Sequence, residues 1–118
     1  MTLLDTDVCL AFLGGKASAR GALESVEGEA AVSWQTVAEL YQAALSSLRP
    51  AENRVLIDKF LLTVRILYPD PSILAEVALI QCGQRAAGHS VPERDAIIRV
   101  LARRNGARLL TLHKERFT

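Results

Sequence analysis

Four short apolar runs punctuate the chain and are separated by longer stretches of mixed polarity. The first run is Leu3-Leu4, and the others lie at residues 30–33, 64–67 and 108–111. Each run is too short for a helix and is bounded by polar residues or turn signals, which is typical of buried strands. The pattern therefore predicts four strands.

Six helices are predicted between these strands. They cover residues 8–13, 17–26, 35–48, 51–62, 72–87 and about 93–104. In the third helix, apolar residues recur at the spacing of one helix face. This face consists of Val37, Leu40, Tyr41, Ala44, Leu45 and Leu48. The fourth helix is predicted to have an apolar side along Val55, Leu56, Lys59 and Phe60, and the sixth to bury Ala96, Ile97, Val100 and Leu101.

The resulting order, β-α-α-β-α-α-β-α-α-β, predicts an α/β fold. Strands separated by helices form parallel sheets, so we expect a short, mostly parallel sheet of about four strands with helices on both faces. With 118 residues the chain can bury a core without disulfides or a metal, and we expect one domain over residues 1–118.

Composition narrows the class of protein. Half of the residues are hydrophobic and 23% are charged, which is typical of a folded globular domain and not of a disordered chain. No apolar run approaches the roughly 20 residues that span a bilayer, and the first residues do not resemble a signal peptide. Cys9 and Cys82 are too few and too far apart for a zinc site, so we expect two buried thiols and a cytoplasmic location.

The net charge is only +1, but it is unevenly distributed. Between Arg94 and Arg116, seven basic residues face two acidic ones, an excess of five positive charges. A basic segment in a nearly neutral protein favours an anionic partner such as nucleic acid, although a solvated helix rich in arginine gives the same count.

The candidate chemistry lies in the acidic residues, because the sequence contains no glycine-rich phosphate loop and no G-x-S-x-G motif. Asp5 ends the first strand, Glu39 follows the second strand in the early turns of a helix, and Asp95 lies in the first turn of the sixth helix. We call these three residues the acid triad. Carboxyl ends of parallel strands share one edge of the sheet, so the three should lie near each other.

Converging carboxylates repel each other unless a cation lies among them, and Mg²⁺ and Mn²⁺ prefer such hard oxygen ligands. Each acid also has an ordinary structural explanation. Glu39 faces away from the apolar stripe of its helix, as a solvated residue would, and Asp95 is favoured in a first turn by the helix dipole.

Three segments around the acid triad resemble the PIN domain nucleases, and among them the short toxins of VapC type. The segments are LLDTDV at 3–8, VSWQTVAELYQA at 32–43 and VPERDAIIRVLARRNGARLLTLHKERF at 91–117. They occur in the family's order and at its spacing across nearly the whole chain. The resemblance implies a PIN fold and Mg²⁺- or Mn²⁺-dependent ribonuclease activity, with the acid triad as metal ligands and catalytic residues. It also implies an RNA substrate, a cognate antitoxin and commonly a homodimer.

The sequence departs from the family pattern near its end. His113 stands where the family often has a fourth acid or an asparagine, and Glu93 and Glu115 are nearby substitutes as accessory metal ligands. Asp7 stands where asparagine is frequent. The sequence also ends one residue after Phe117, where relatives usually continue into another strand, so we expect either that the last edge of the sheet is missing or that only four strands are present.

Two alternatives stay open, the first of them because of these departures. One is a catalytically weakened PIN-like module that binds RNA or a protein without cleavage. The other is a phosphotransferase, because Asp5-Thr6-Asp7 resembles the DxD motif of haloacid dehalogenase-like enzymes, although that motif has threonine where Cys9 stands.

Further polar residues are candidates for supporting roles. Hydroxyl and carboxylate groups that orient the acids or a bound water are expected at Thr6, Asp7, Thr36 and Thr111, all of which also suit caps and turns. RNA phosphates would be held by charge, without base reading, at Arg99, Arg103, Arg108, Lys114 and Arg116. Trp34 is expected to pack in the core or an interface, or to stack on a base.

Overall fold

The computed structural model describes residues 1–24, 26 and 28–117, apart from the side chains of residues 18 and 19. Its strands are β1 (Thr2–Leu4), β2 (Ala30–Ser33), β3 (Arg65–Leu67) and β4 (Arg108–Leu110). Its helices are α1 (Thr6–Leu13), α2 (Ala17–Glu24), α3 (Trp34–Leu45), α4 (Pro50–Leu61), α5 (Pro71–Ala86) and α6 (Glu93–Arg104), followed by a 3-10 turn at Lys114–Phe117. The predicted order of elements is confirmed. Residue 25, within the predicted second helix, lies outside the described residues.

The four strands form one parallel sheet in the order β3-β2-β1-β4. Leu3 in β1 is level with Ala31 in β2 and with Leu109 in β4. Because every strand runs the same way, all of the carboxyl ends lie at one edge of the sheet. The predicted α/β class is confirmed.

Alternate strand residues enter two separate cores, one on each face of the sheet. Leu3 and Ala31 pack with residues of α5 and α6 in the first core. Leu4 and Val32 pack with residues of α1, α3 and α4 in the second. The period-2 alternation of a strand explains the division, and helices cover both faces as predicted.

The predicted apolar side is confirmed for α6, but for α4 it is confirmed only at Phe60. The four predicted residues of α6 are all buried. In α4 the buried residues are Ile57 and Phe60, whereas Val55 and Leu56 are 50% and 46% exposed. The helix packs on α3 through a narrow stripe, so the predicted side is largely in solvent.

Two further expectations are wrong, and a third, for Trp34, is narrowed to an interface or a base. α3 ends at Leu45, and Leu48 lies in the following loop, fully exposed. Cys82 is exposed on α5, because this helix buries only Ile73 and Val77 and turns the cysteine away from them, while Cys9 is buried as predicted. Trp34 is 42% exposed, so core packing does not explain it. Among the described residues, no helix is both long and apolar enough to cross a membrane.

Candidate active site

Asp5 is fixed at the carboxyl end of β1 by its own backbone and by its neighbours. Its amide donates to the carbonyl of Leu110 in β4 (2.9 Å), which anchors it between two strands. Its side chain caps α1 by accepting a hydrogen bond from the Thr6 amide (2.8 Å). Only 1% of the residue is exposed, so the carboxylate is held in a buried, defined position.

Glu39 reaches the same edge from α3. Ser33, the last residue of β2, caps this helix through the Thr36 amide (3.3 Å) and so sets its direction. The Thr6 hydroxyl donates to Glu39 Oε1 (2.8 Å) and lies 2.9 Å from the Thr36 hydroxyl. The Glu39 side chain is 34% exposed and is hydrogen-bonded to Thr6 in the first turn of α1. It is therefore not a freely solvated surface residue.

Asp95 is the third residue of α6, at the side of the molecule that carries Asp5. The residue is 5% exposed. Its Oδ1 accepts hydrogen bonds from Arg94 Nη1 (3.0 Å) and Arg116 Nη2 (2.8 Å). A buried carboxylate needs such partners, because an unpaired charge is costly away from water.

One guanidinium joins the whole acid triad. Arg94 Nε lies 2.9 Å from both carboxylate oxygens of Glu39, Nη2 lies 2.7 Å from Asp5 Oδ1, and Nη1 binds Asp95. Arg116 adds a second cation, with Nη2 at 3.6 Å from Asp5 Oδ2. Three carboxylates from three separate elements therefore converge on a single cationic group.

These contacts shift the pKa values of the residues that make them. Burial alone would raise the pKa of Asp5, but the hydrogen bond and charge of Arg94, with the Thr6 amide and the Thr111 hydroxyl, leave it below its ordinary value. Burial would lower the pKa of Arg94, and its bonds to Glu39 and Asp5 raise it instead. The hydrogen bond to Asp95 raises the pKa of Arg116. Asp5 and both arginines are therefore charged at neutral pH.

The acid triad has the donor chemistry of a magnesium or manganese site, and its oxygens point at one position. Among the described residues, however, no three His, Cys, Asp or Glu side chains are placed to hold a metal as they stand. The Arg94 guanidinium lies where their oxygens converge. The residues fit a divalent ion in charge and type once this side chain moves.

The four predicted supporting residues all touch the site. Thr6 and Thr36 link α1 to α3 as described above. The Thr111 hydroxyl lies 2.9 Å from Asp5 Oδ2 and 3.2 Å from Asp7 Oδ2, and can donate to one of them at a time. Asp7 also accepts from the Leu112 amide (3.1 Å), which ties the segment after β4 to the start of α1.

The predicted accessory ligands lie at the rim or outside. His113 is half-exposed, with Nε2 at 3.7 Å from Asp7 Oδ2 and Nδ1 at 3.4 Å from Glu115 Oε1. It lines a cavity of about 440 Å³ together with Glu39, Arg94 and Asp95. Glu93 is exposed and does not line this cavity.

The predicted RNA-binding residues divide into two groups. Arg99 and Arg116 line a second cavity that shares Asp95 with the first, and a third cavity beside it is lined by Arg99, Arg103 and Lys114. Arg103 also pairs with Glu76 on α5. Arg108 is the first residue of β4 and is level with Thr2. It therefore lies at the amino ends of the strands, on the side of the sheet away from the acid triad.

Arg94 is the site residue that sequence reasoning missed, since it was counted only as part of the basic segment. Its position did contain a signal. A cation in the first turn of a helix opposes the helix dipole, and Arg94 stands there between two acids, Glu93 and Asp95. Such a residue needs a compensating partner, which the acid triad provides.

Comparison with known proteins agrees with this architecture. No curated protein matches the sequence. Among solved structures, a DNA-bound VapBC from Salmonella typhimurium has a TM-score of 0.84 and 23% identity, covering 99% of this chain and 91% of that one. FitAcB from Neisseria gonorrhoeae has a TM-score of 0.82 and 25% identity, with coverages of 99% and 91%. VapBC2 from Rickettsia felis, bound to a promoter DNA fragment, has a TM-score of 0.84 and 21% identity, with coverages of 98% and 90%.

At these identities the solved structures show a shared fold. The sequence model of the PIN domain family adds a direct match, over residues 2–117, which includes the acid triad and both arginines that bind it. The chain belongs to the PIN domain family.

Proposed function

We propose that this protein is a VapC-type toxin, an endoribonuclease that hydrolyses RNA phosphodiester bonds with Mg²⁺ or Mn²⁺ held by Asp5, Glu39 and Asp95. The observation that carries the proposal is the convergence of these carboxylates, from three separate elements, on one cation position in a PIN domain. A bound divalent ion would lower the pKa of a water molecule and neutralise charge that develops on the phosphate.

The residues around the acid triad prepare it for this role. The Thr6 amide donates to one oxygen of Asp5 and the Thr111 hydroxyl lies within hydrogen-bond distance of the other, which fixes the two oxygens in different directions. The Thr6 hydroxyl orients Glu39. Because these contacts come from the backbone and from short side chains, they remain available when Arg94 moves.

Three neighbouring cavities along α6, which share lining residues, would provide a path for the RNA backbone. They lead from the acid triad past Arg116 and Arg99 to Lys114. Cations along such a path hold phosphates without reading bases, so the proposed contact binds the RNA backbone by charge and independently of sequence. Arg108 lies at the amino ends of the strands, away from the acid triad, and is not part of the path.

The partner proposed from the solved relatives is an antitoxin, since the fold is shared with the VapBC structures described above and with a toxin–antitoxin complex from Klebsiella pneumoniae. Exposed apolar side chains on α3 and α4 supply a surface for contact with a protein, either the antitoxin or a second copy of this chain. They include Leu45, Val55 and Leu56, which are 61%, 50% and 46% exposed.

The test is RNA cleavage by the Asp5→Asn variant. This change removes a buried charge from the acid triad while keeping the shape of the side chain. Cleavage of single-stranded RNA in Mg²⁺ or Mn²⁺ should fall on the order of a hundredfold or more, and a chelator should stop the wild type. Asp58→Asn, at an exposed position of α4, is the matched control and should keep full activity. Undiminished cleavage by a folded Asp5→Asn protein would refute the assignment.

A second candidate function is a PIN module that binds RNA or protein without cleavage. The observation in its favour is that Arg94 and Arg116 neutralise two of the three negative charges of the acid triad. This candidate gains support if the folded wild type binds RNA without metal and yields no cleavage products in either Mg²⁺ or Mn²⁺.

A further inference from the structure

The Arg94 side chain occupies the centre of the acid triad. Its three nitrogens are all used, with Nε on both oxygens of Glu39 and the two terminal nitrogens on Asp5 and Asp95. A fourth contact runs from Nη2 to the Thr6 hydroxyl (3.0 Å). A guanidinium that serves three carboxylates supplies the charge compensation that a divalent ion would otherwise supply.

A guanidinium and a divalent ion cannot share this position. Both are cations, so they repel each other, and both need the same carboxylate oxygens. We propose that Arg94 is an internal counter-cation which a divalent ion must displace, so that this residue sets the metal affinity of the site. The inference rests on the proposed function, because it places the metal among the acid triad.

The fold allows this exchange without unfolding. Arg94 is the second residue of α6, its side chain is 25% exposed, and it lines the open cavity. A long side chain in this position can turn into the solvent. Asp5 stays in place because its side chain caps α1. Asp95 stays in place because it keeps its hydrogen bond from Arg116.

Population arithmetic gives the size of the effect. The apparent dissociation constant equals the intrinsic one divided by the fraction of molecules in which the site is open. If Arg94 has left the acids in about one molecule in ten, its removal tightens metal binding about tenfold. A purely structural role has the opposite sign, since carboxylates that lose their clamp would separate and bind metal more weakly.

The experiment is calorimetric titration of Mn²⁺, without RNA, into the wild type and Arg94→Ala. The variant should bind about tenfold more tightly, and Mn²⁺ should raise its melting temperature more than that of the wild type. Arg104→Ala removes an exposed arginine from the other end of α6 and should leave the affinity unchanged. Adding Asp5→Asn to Arg94→Ala should abolish binding, which would place the gain at the acid triad.

The outcomes separate the two proposals. Binding by Arg94→Ala alone, with none by the wild type, supports the exchange in its strongest form. Equal or weaker binding by Arg94→Ala than by the wild type overturns the exchange but leaves the proposed metal site standing. Absence of binding in both folded proteins overturns the metal site itself. If Arg94→Ala does not fold, the same titration is made with Arg94→Lys. A lysine cannot contact all three carboxylates at once, so the Arg94→Lys protein should still bind Mn²⁺ more tightly than the wild type.

Discussion

The two cysteines occupy opposite environments, and their reactivity should differ accordingly. Burial, with the nearby charges of Asp5 and Asp7, raises the pKa of Cys9 to about 12, so its thiol stays protonated at neutral pH. Cys82 is exposed on α5. Because the thiolate is the reactive form, we expect a disulfide reagent such as DTNB at pH 8 to modify one thiol rapidly in the folded chain and both after denaturation.

Single cysteine variants provide the control. Cys82→Ser should leave no rapidly reacting thiol, and Cys9→Ser should retain one. Two rapidly reacting thiols in the folded wild type would contradict the burial of Cys9. The measurement also reports on β1 and α1, since Cys9 becomes accessible only when the core beside the acid triad opens.

The sequence predicted that the acid triad lies near the carboxyl ends of the strands, but it did not predict Arg94 as the partner of these acids. The acids follow strand ends, a relation that apolar runs reveal. Arg94 bonds to Glu39 and Asp5 across 55 and 89 residues of chain. The residues around Arg94 in the sequence do not indicate which way its side chain points. Only the folded sheet brings Glu39 and Asp5 within its reach. Whether the acid triad holds a metal stays a prediction.

The capping of α3 is a property of the element that positions Glu39. Ser33 accepts a hydrogen bond from the Thr36 amide and is 1% exposed, so Ser33→Ala leaves a buried amide without this partner. We expect the free energy of unfolding to fall by about 1–2 kcal/mol, as measured by urea denaturation. Cleavage should fall as well, because the first turn of α3 sets the direction of Glu39.

Ser46→Ala is the matched control, since Ser46 ends the same helix through its backbone and is exposed. Its unfolding free energy should change by less than about 0.5 kcal/mol. A Ser33→Ala protein as stable as the wild type would show that the cap is not needed to hold α3.

Element boundaries and buried sides were predictable to different degrees. The four strands were found because each carries a short apolar run. The central strands β1 and β2 are buried almost throughout, whereas the outer strands β3 and β4 begin with exposed arginines and were found from their apolar residues alone. The buried side of α4 was found only at Phe60, because Val55 and Leu56 are apolar but lie half in solvent, while the fully buried residues are Ile57 and Phe60. Hydrophobicity by itself does not distinguish a side that packs internally from a side that faces a partner.

On the scale of the whole molecule, apolar side chains are exposed at positions that the sequence analysis placed on apolar helix faces. Leu45 and Leu56, on α3 and α4, are 61% and 46% exposed, and Leu48 between these helices is fully exposed. Exposed apolar residues that lie close together in a folded domain indicate a surface used for association. This explains why the apolar stripe of the third predicted helix extends beyond the residues that the monomer buries.

We therefore predict that the protein is a homodimer that uses this surface. Light scattering coupled to size-exclusion chromatography should give a mass about twice the 12.9 kDa of one chain. Leu45→Glu should shift the protein to the single-chain mass, because it places a charge in an apolar interface. Gln42→Glu adds the same charge at an exposed position of α3 and should leave the dimer intact. A single-chain mass at every concentration of the wild type would contradict self-association and leave this surface to a different protein, for which the antitoxin is the proposed candidate.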